Sequence, residues 1–409
     1  MKNIYRICIL IAVFALTACF SDWAGDTGRF SISIGGSGSG RTALPWNDDI
    51  QIEALEHDIT LEGLGPKQSK KVTGVQTVQF SVVPGVWNIS IEAKYENELI
   101  AVGSRTVDIK PGPNGTITIS MSKPALMEMV WVQGGTFQLG KDLGTAATGD
   151  VTPLSNVTVN GFYIGKYQVT QAQWQAVMGT TIQQLQTAAG FGSTNYGRGD
   201  AYPVYCVSWY DALVFCNKLS VTEGLTPAYR IANSTNPDDW GTVPTNSDAT
   251  WNAVEVVRGS TGYRLPTEAQ WEYAAKGGNP LAAGWVGYTY AGSDTVGDVA
   301  WYEGNNGSSG TPTYGTKAVG TKAPNGLGIY DMSGNVWEWC WDWYGDYTSA
   351  DKTDPTGASS GSSRVGRGGG YRFSVAEWNV EVRSVYRHNY IGPSYRYDDL
   401  GFRLVRPVN

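Results

Sequence analysis

Few side chains in this sequence could carry metal or nucleophilic chemistry, and they lie far apart. The chain has 409 residues, with two histidines, His57 and His388, and five cysteines. It contains no Cys-x-x-Cys spacing and no Cys/His pairing, which argues against a structural zinc site. Six carboxylates fall in aromatic-rich stretches: Asp211, Glu268, Glu272, Asp331, Glu338 and Asp342. Paired carboxylates can catalyse hydrolysis, but we expect these six to cap helices, pair with arginines and brace loops.

Side chains suited to recognition are concentrated between residues 368 and 405. This stretch mixes Tyr, Arg, His, Phe and Asp without a regular period. From Arg364 to Asn409 there are eight arginines and four acidic residues, a local charge of +4 in a chain of net charge −7. Tyr and Arg are typical of antibody combining sites and of binding hot spots. We therefore predict an exposed binding surface, in which Tyr371 and Trp378 belong to the core.

Length and composition limit the class of protein. A chain of 409 residues is too long for one ordinary core, so two or more domains are expected. The 52 glycines and 16 tryptophans indicate a loop-rich fold with aromatic packing. A net charge of −7 without a basic stripe argues against a nucleic-acid partner.

The first 19 residues predict export. Lys2 and Arg6 introduce the apolar run ICILIAVFAL, which is too short to span a bilayer as a mature helix. The LTAC that follows resembles the bacterial lipobox, which implies cleavage before Cys19 and lipidation of that residue. The alternative is an ordinary signal peptide with a chance cysteine. Lipidation predicts an exported protein anchored to a membrane, at the bacterial outer membrane or cell surface.

Composition then divides the rest of the chain. Residues 20–45 are rich in Ser and Gly and predict a flexible tether. Residues 46–123 alternate apolar and polar residues between Gly/Pro turns, which predicts a small all-β sandwich acting as a stalk. Residues 124–409 form the second domain, whose Cys206, Cys216 and Cys340 leave at least one thiol unpaired; the sequence does not fix a pairing.

Two helices of the second domain have clear start signals. Thr170 is an N-cap residue, and Trp174, Val177 and Met178 follow on one helix face. The sequence TEAQ, from Thr267 to Gln270, is a capping box. Long Gly-rich stretches with few regular elements follow this second helix.

Five ordered motifs make this domain resemble a known family. They are FYIGKYQVTQAQW, YPVYCVSWYDALVFCNKLS, YRLPTEAQWEYAAKGG, GLGIYDMSGNVWEWCWDWY and RVGRGGGY…LGFRLV. Together they resemble the formylglycine-generating enzyme/sulfatase-modifying-factor domain from about Met127 onwards. The resemblance implies an α+β fold of the C-type-lectin-like type, rich in irregular loops and preceded here by the all-β sandwich.

The resemblance does not by itself imply an enzyme. The family's enzymes bind copper through two cysteines in their last segment, and Asn379 and Ser384 stand near those positions here, with no cysteine after Cys340. Without thiolates there is no soft ligand set for Cu(I), so formylglycine-generating activity is not expected. A related iron-dependent branch needs a His-rich ligand set, which is also lacking.

Family resemblance also implies a structural calcium ion. Carried over to this sequence, its ligands would be Asp331, Gly334, Val336 and Glu338, whose hard oxygen atoms suit Ca²⁺. The alternative is that the two acidic side chains only hydrogen-bond loop amides. No cofactor is expected to be required for function.

The C-terminal segment resembles the variable proteins of diversity-generating retroelements, in which adenine changes scatter Asn codons. The resemblance implies a variable segment at residues 370–400, with scaffold positions at Trp378, Arg387, Pro393 and Arg396. The residues reachable from an Asn codon are expected to contact the ligand: Arg372, Phe373, Ser374, Tyr386, His388, Asn389, Tyr390, Ile391, Ser394, Tyr395, Tyr397, Asp398 and Asp399.

The predicted function is therefore a receptor- or adhesin-like surface protein. Its C-terminal segment would bind varied ligands, which we expect to be proteins or other cell-surface molecules. One alternative is a non-copper enzyme of the same superfamily. Another is a carbohydrate-binding lectin, although the sequence lacks the Glu-Pro-Asn or Gln-Pro-Asp loop of such lectins.

Overall fold

A computed structural model of the chain divides into two compact units, Met1–Ala125 and Leu126–Asn409. The sequence placed this boundary between residues 123 and 124. The structure describes residues 27–34, 43–44, 47–51, 54–74, 76–96, 98–117, 119, 126–140, 151–192, 194–282, 284, 286–373 and 382–408. The predicted signal sequence and Cys19 lie outside these residues. Within the described part, no helix is both long and apolar enough to cross a bilayer.

The described elements of unit 1 are strands. Its strands are β1 Gly28–Ile34, β2 Ala43–Leu44, β3 Asn47–Gln51, β4 Glu56–Gly63, β5 Gln68–Thr73, β6 Gln76–Val82, β7 Gly85–Tyr95, β8 Glu98–Ile109 and β9 Gly112–Ile117. Four form a sheet in the order β5-β4-β7-β8, three form a sheet in the order β6-β1-β9, and β2 pairs with β3. Alternate residues of β7 are buried, as expected of a strand with one face toward a core.

One apolar cluster joins the two larger sheets of unit 1. Phe30 and Phe80 come from the three-stranded sheet, and Ile59 and Ile89 come from the four-stranded sheet. This arrangement is the predicted sandwich. Part of the tether prediction is wrong, however, because β1 lies inside residues 20–45 and pairs with both β6 and β9. The alternation of RFSISI carried that signal, although Ser and Gly dominate the composition around it.

Unit 2 combines short strands and helices with long loops. Its strands are β10 Met129–Val132, β11 Gly135–Leu139, β12 Ser155–Val159, β13 Phe162–Gly165, β14 Tyr229–Arg230, β15 Glu255–Val256, β16 Ala300–Trp301, β17 Ser333–Gly334, β18 Trp337–Trp343, β19 Lys352–Thr353, β20 Arg364–Arg367, β21 Arg387–Ile391, β22 Leu400–Phe402 and β23 Val405–Pro407. Its helices are α1 Gln171–Met178, α2 Ile182–Ala188, α3 Trp209–Thr222, α4 Ala249–Asn252, α5 Glu268–Ala275 and α6 Val296–Val299. Single 3₁₀ turns occur at Pro237–Trp240 and Glu303–Asn305.

Capping boxes begin the main helices of unit 2. Thr170 caps α1, Ser208 caps α3 and Thr267 caps α5, and in each case the third helical residue bonds back to the cap. The predicted starts at Thr170 and at Thr267 with Gln270 are confirmed. Helix α3 is almost wholly buried, and it forms the centre of the larger apolar cluster of this unit.

One sheet of unit 2 frames the C-terminal segment. Its strand order is β21-β20-β18-β22, with β18 antiparallel to β20 and parallel to β22. Strand β18, WEWCWDW, is buried along nearly its whole length. The loops after β20 and after β21 therefore leave from and return to a buried sheet.

Candidate functional site

The loop after β21 presents two aromatic side chains to solvent. Tyr395 is 48% exposed and Tyr397 is 38% exposed, and their ring centroids lie 5.8 Å apart. Between them, Arg396 turns inward, and its Nε donates to Oδ2 of Asp211 at 2.8 Å. Alternate side chains of this loop therefore face solvent and protein, although the loop is not a strand.

Main-chain hydrogen bonds hold this loop on the core. The amide of Cys206 donates to the carbonyl of Tyr397 at 2.9 Å, and the amide of Trp209 donates to the carbonyl of Pro393 at 3.0 Å. Both donors lie beside the buried start of α3. The two exposed tyrosines consequently project from a backbone that is fixed in position.

Arg372 makes the second charged contact of this region. Its Nη1 lies 2.9 Å from Oδ1 of Asp398, and its Nε and Nη2 lie 2.8 Å from the two oxygens of Asp399. Both carboxylates are at most 3% exposed, and burial raises the pKa of Asp399 to about 6. Arg372 is therefore the counter-ion of two buried acids, which leaves part of its own side chain accessible.

Three other predicted contact residues surround Trp337. The ring centroids of Phe373, Tyr386 and His388 lie 5.3, 5.9 and 5.0 Å from that of Trp337. All three are half-buried, whereas Trp337 is only 2% exposed. Burial lowers the pKa of His388, so it is neutral near pH 7. The sequence did not identify Trp337 as the support of these residues, because nothing distinguishes it from the other tryptophans of its motif.

Four of the predicted contact residues are buried, which corrects the expectation for them. Ile391, Ser394, Asp398 and Asp399 are between 1% and 8% exposed. Ile391 packs in the apolar cluster, and the two aspartates hold Arg372. A pattern of codons cannot distinguish a side chain that contacts a ligand from one that supports the loop.

The structure describes the remaining predicted positions only in part. Ser374, Trp378 and Asn379 lie outside the described residues, while Asn389 and Tyr390 lie in β21. Arg387 and Arg396, predicted as scaffold, bind Glu268 and Asp211 respectively. Tyr371 is fully buried, as expected of a core residue, and its hydroxyl donates to Oδ2 of Asp398 at 3.0 Å.

The six carboxylates that could have indicated catalysis have structural partners. Asp211 completes a capping box, and Glu268 and Glu272 pair with buried arginines. Oδ2 of Asp342 accepts from the Glu268 amide at 2.9 Å, and Oδ2 of Asp331 accepts from the Gly320 amide at 2.7 Å. Among the described residues, no three His, Cys, Asp or Glu side chains are grouped as a metal site.

The four residues predicted to bind calcium lie together. The main-chain oxygens of Asp331, Gly334 and Val336, together with Oε1 of Glu338, all lie 3.0 to 3.4 Å from Nε2 of Gln168. Gln168 is 1% exposed, and its own Oε1 has no hydrogen-bond donor among the described residues. The amide nitrogen thus occupies the point on which the four oxygens converge.

Glu338 is already neutralised at this point. Nε and Nη2 of Arg403 donate to its two oxygens at 2.9 and 2.8 Å, and Nε1 of Trp271 donates to Oε2 at 2.6 Å. Calcium takes about six to eight oxygen ligands at roughly 2.3–2.6 Å. With Gln168 at the centre and Arg403 on the carboxylate, these residues do not fit a calcium ion.

The cysteines do not form a thiolate pair. Cys206, Cys216 and Cys340 are free thiols and are fully buried. Burial raises the pKa of each thiol above its ordinary value. Because the thiolate is the metal ligand and the nucleophile, these residues are poor candidates for either role. Ser384, near one predicted position of the family's copper ligands, donates its hydroxyl to the carbonyl of Thr289 at 3.3 Å.

Fold and motifs together define a C-type-lectin-like domain of the formylglycine-generating-enzyme type. The family described as "Sulfatase-modifying factor enzyme 1-like domain" matches residues 117–408, and the chain belongs to this family.

Two relatives illustrate the range of proteins that share the domain. The protein named "Chaperone protein LppX" from Paenibacillus barcinonensis is 38% identical over 293 residues, which cover 68% of this chain and 89% of that protein. The "Formylglycine-generating enzyme" of Mus musculus is 30% identical over 267 residues, which cover 60% of this chain and 67% of the enzyme.

A solved structure is also similar. "Treponema denticola variable protein 1" aligns with a TM-score of 0.57 and 35% identity, over 68% of this chain and 95% of that one. Proteins similar to this chain thus include one named as an enzyme and one named as variable, so the local geometry must decide between these roles.

Proposed function

We propose that unit 2 binds a protein ligand through an aromatic face and performs no chemistry. The aromatic face consists of Arg372, Phe373, Tyr386, His388, Tyr395 and Tyr397. The observation that carries this proposal is the pair of exposed tyrosines on a backbone bonded to Cys206 and Trp209. Tyr offers a large amphipathic contact area with few rotatable bonds, and a fixed backbone reduces the entropy lost on binding.

A binding function agrees better with the buried groups than catalysis does. The thiols are buried and protonated, and the six carboxylates serve caps and ion pairs. The similarity to the formylglycine-generating enzyme of Mus musculus extends over the fold, but the chain lacks a cysteine after Cys340. The similarity to a protein named as variable supports the binding function.

We also propose that this face varies between copies of the protein and that Cys19 is lipidated. A retroelement would change the codons of the exposed positions, while Arg387 and Arg396 remain constant because they neutralise buried carboxylates. Lipidation would display the domain at the outer membrane or cell surface.

Alanine substitution at the two tyrosines tests the binding face. Protein ligands are first selected against the wild-type chain from a displayed library, and their affinities are measured by surface plasmon resonance. Because hot-spot tyrosines each contribute about 1–2 kcal/mol or more, the double variant Tyr395→Ala, Tyr397→Ala should bind at least about 10-fold more weakly. Trp131→Ala is the matched control, since Trp131 is an exposed aromatic residue of β10 at 44% exposure.

One outcome would count against the binding face and another against its variation. One is a set of ligands that bind the double variant and the wild type equally. The other concerns variation: the coding sequence for residues 364–405 should have a near-copy close by, with adenines at the differing positions, next to a reverse-transcriptase gene. A locus that has neither the near-copy nor the reverse-transcriptase gene would contradict diversification by a retroelement. It would leave the proposed binding face unaffected.

A further inference from the structure

A cavity of about 280 Å³ lies beside the strand β11 and the end of α5. Its walls include Phe137, Lys276, Pro280, Tyr288 and Arg383. Among the described residues that line it, two are cationic and none is acidic. None of these residues belongs to the aromatic face.

Arg383 is one of three arginines of the C-terminal region, with Arg364 and Arg406, for which the described residues provide no ion pair. Arg367, Arg372, Arg387, Arg396 and Arg403 each lie within 4 Å of a carboxylate. Arg383 is half-buried, yet its guanidinium has no hydrogen bond or ion pair with any residue that the structure describes. Its backbone is held, because its carbonyl accepts from the amide of Tyr386 at 3.1 Å and the next residue, Ser384, donates to the carbonyl of Thr289.

Lys276 lies on the wall of the cavity and at the edge of a buried ion-pair network. Glu268 and Glu272 are shared by three cations, namely Arg367, Arg387 and Lys276. Each carboxylate lies within 4 Å of two of these cations, and the buried Asp342 carboxyl interacts with the same network. With Lys276 and Arg383 in its wall and no acidic side chain among its described lining residues, the cavity favours a negatively charged group.

We infer that this cavity binds a carboxylate carried on an apolar stem, in a site distinct from the aromatic face. The planar guanidinium of Arg383 matches a carboxylate in a two-point contact. Phe137, Pro280, Tyr288 and Val385 supply apolar walls for the stem. The volume admits one amino-acid residue, so the carboxylate can come from the C-terminal residue of a peptide or from an acidic side chain. This inference does not rest on the proposed function, because the cavity can bind whether or not the tyrosines do.

Titration of the full chain with small carboxylates tests the site. N-acetyl-phenylalanine represents a terminal carboxylate, N-acetyl-glutamate methylamide represents a side-chain carboxylate, and N-acetyl-phenylalanine methylamide is the neutral control. We expect saturable binding of at least one carboxylate by ligand-detected NMR and none of the neutral amide. The carboxylate that binds more tightly identifies the source.

Substitution separates the site from general charge attraction. Arg383→Met should weaken carboxylate binding at least about 10-fold, since it removes the charged hydrogen bonds to the carboxylate. Arg383→Lys keeps the charge without the planar fork and should bind with intermediate affinity. Arg258→Met removes an exposed arginine that does not line the cavity and should have no effect.

Thermal unfolding checks that each variant remains folded, which is expected because no described residue bonds to the Arg383 side chain. The inference is overturned if neither carboxylate binds the wild type saturably. It is also overturned if Arg383→Met and Arg383→Lys both bind as the wild type does, or if the neutral amide binds equally well. The double tyrosine variant should bind the carboxylate normally, so failure of the aromatic face and failure of this cavity are distinguishable.

Discussion

At the scale of single residues, the amide of Gln168 replaces the cation that the family resemblance implied. It has two N–H bonds, and four oxygen atoms surround its nitrogen. We propose that the folded domain therefore does not require calcium. The midpoint of thermal unfolding of the wild type should be the same in millimolar CaCl₂ and in EGTA.

The variant Gln168→Glu should reverse this independence. It would place a second carboxylate beside Glu338, and only one of the two would be neutralised by Arg403. An uncompensated buried charge costs about 3–5 kcal/mol, so the unfolding midpoint should fall in EGTA and recover in CaCl₂. Differential scanning calorimetry under both conditions measures this.

An exposed capping residue provides the control for this substitution. Gln184 of α2 occupies the third position of a capping box, where Glu serves equally well, so Gln184→Glu should unfold at the same temperature as the wild type in both solutions. A wild-type midpoint that rises by several degrees in CaCl₂ would contradict the assignment. It would mean that the ion displaces the Gln168 side chain.

At the scale of secondary-structure elements, the carboxyl group of Asp342 lies at the start of α5. It accepts from the first helical amide and is 3% exposed. Burial, aided by the charge of Glu268, raises the pKa of Asp342 from 3.8 to about 7. Since the folded-state pKa lies above the unfolded value, this group stabilises the fold most at low pH, and its contribution is lost as the pH rises through 7.

Asp342→Asn should therefore flatten the dependence of stability on pH. The asparagine oxygen keeps the acceptor for the Glu268 amide and carries no charge. Between pH 5 and pH 8 the wild type should lose about 2–3 kcal/mol more of its unfolding free energy than the variant loses. Urea unfolding at both pH values measures the difference. The control is Asp346→Asn, at an exposed carboxylate nearby, whose stability should depend on pH as that of the wild type does. If the stability of Asp342→Asn also followed the wild type between pH 5 and pH 8, the role given to burial would be refuted.

Two helix starts were predicted correctly from the sequence, whereas the burial of four predicted contact residues was not. The helix starts at Thr170 and Thr267 follow from local hydrogen bonding, so a few adjacent residues determine them. Asp398 and Asp399 are buried only because Arg372, 26 and 27 positions earlier, folds back onto them. Strand β1 was missed because composition was given more weight than alternation.

At the scale of the whole molecule, each unit buries its own core. The apolar cluster of unit 1 contains residues such as Phe30 and Trp87, and the two clusters of unit 2 contain residues such as Trp209 and Trp271. In the described part of the chain, each of these three clusters contains residues of one unit only. The first described residue of unit 2, Leu126, is held by its amide, which donates to Oε1 of Glu223 at 2.8 Å.

A chain that begins at Leu126 should therefore fold without the sandwich and keep the binding properties of unit 2. Its unfolding midpoint should lie within about 2 °C of the unit 2 transition in the full chain, which corresponds to less than about 1 kcal/mol for a domain of this size. Calorimetry should show two transitions for the full chain and one for the shortened chain. Selected ligands should bind both chains equally, because the residues of the aromatic face and their buried partners all lie after Leu126. Aggregation of the shortened chain, or a midpoint lower by more than about 5 °C, would show that the sandwich supports the fold of unit 2 as well as preceding it.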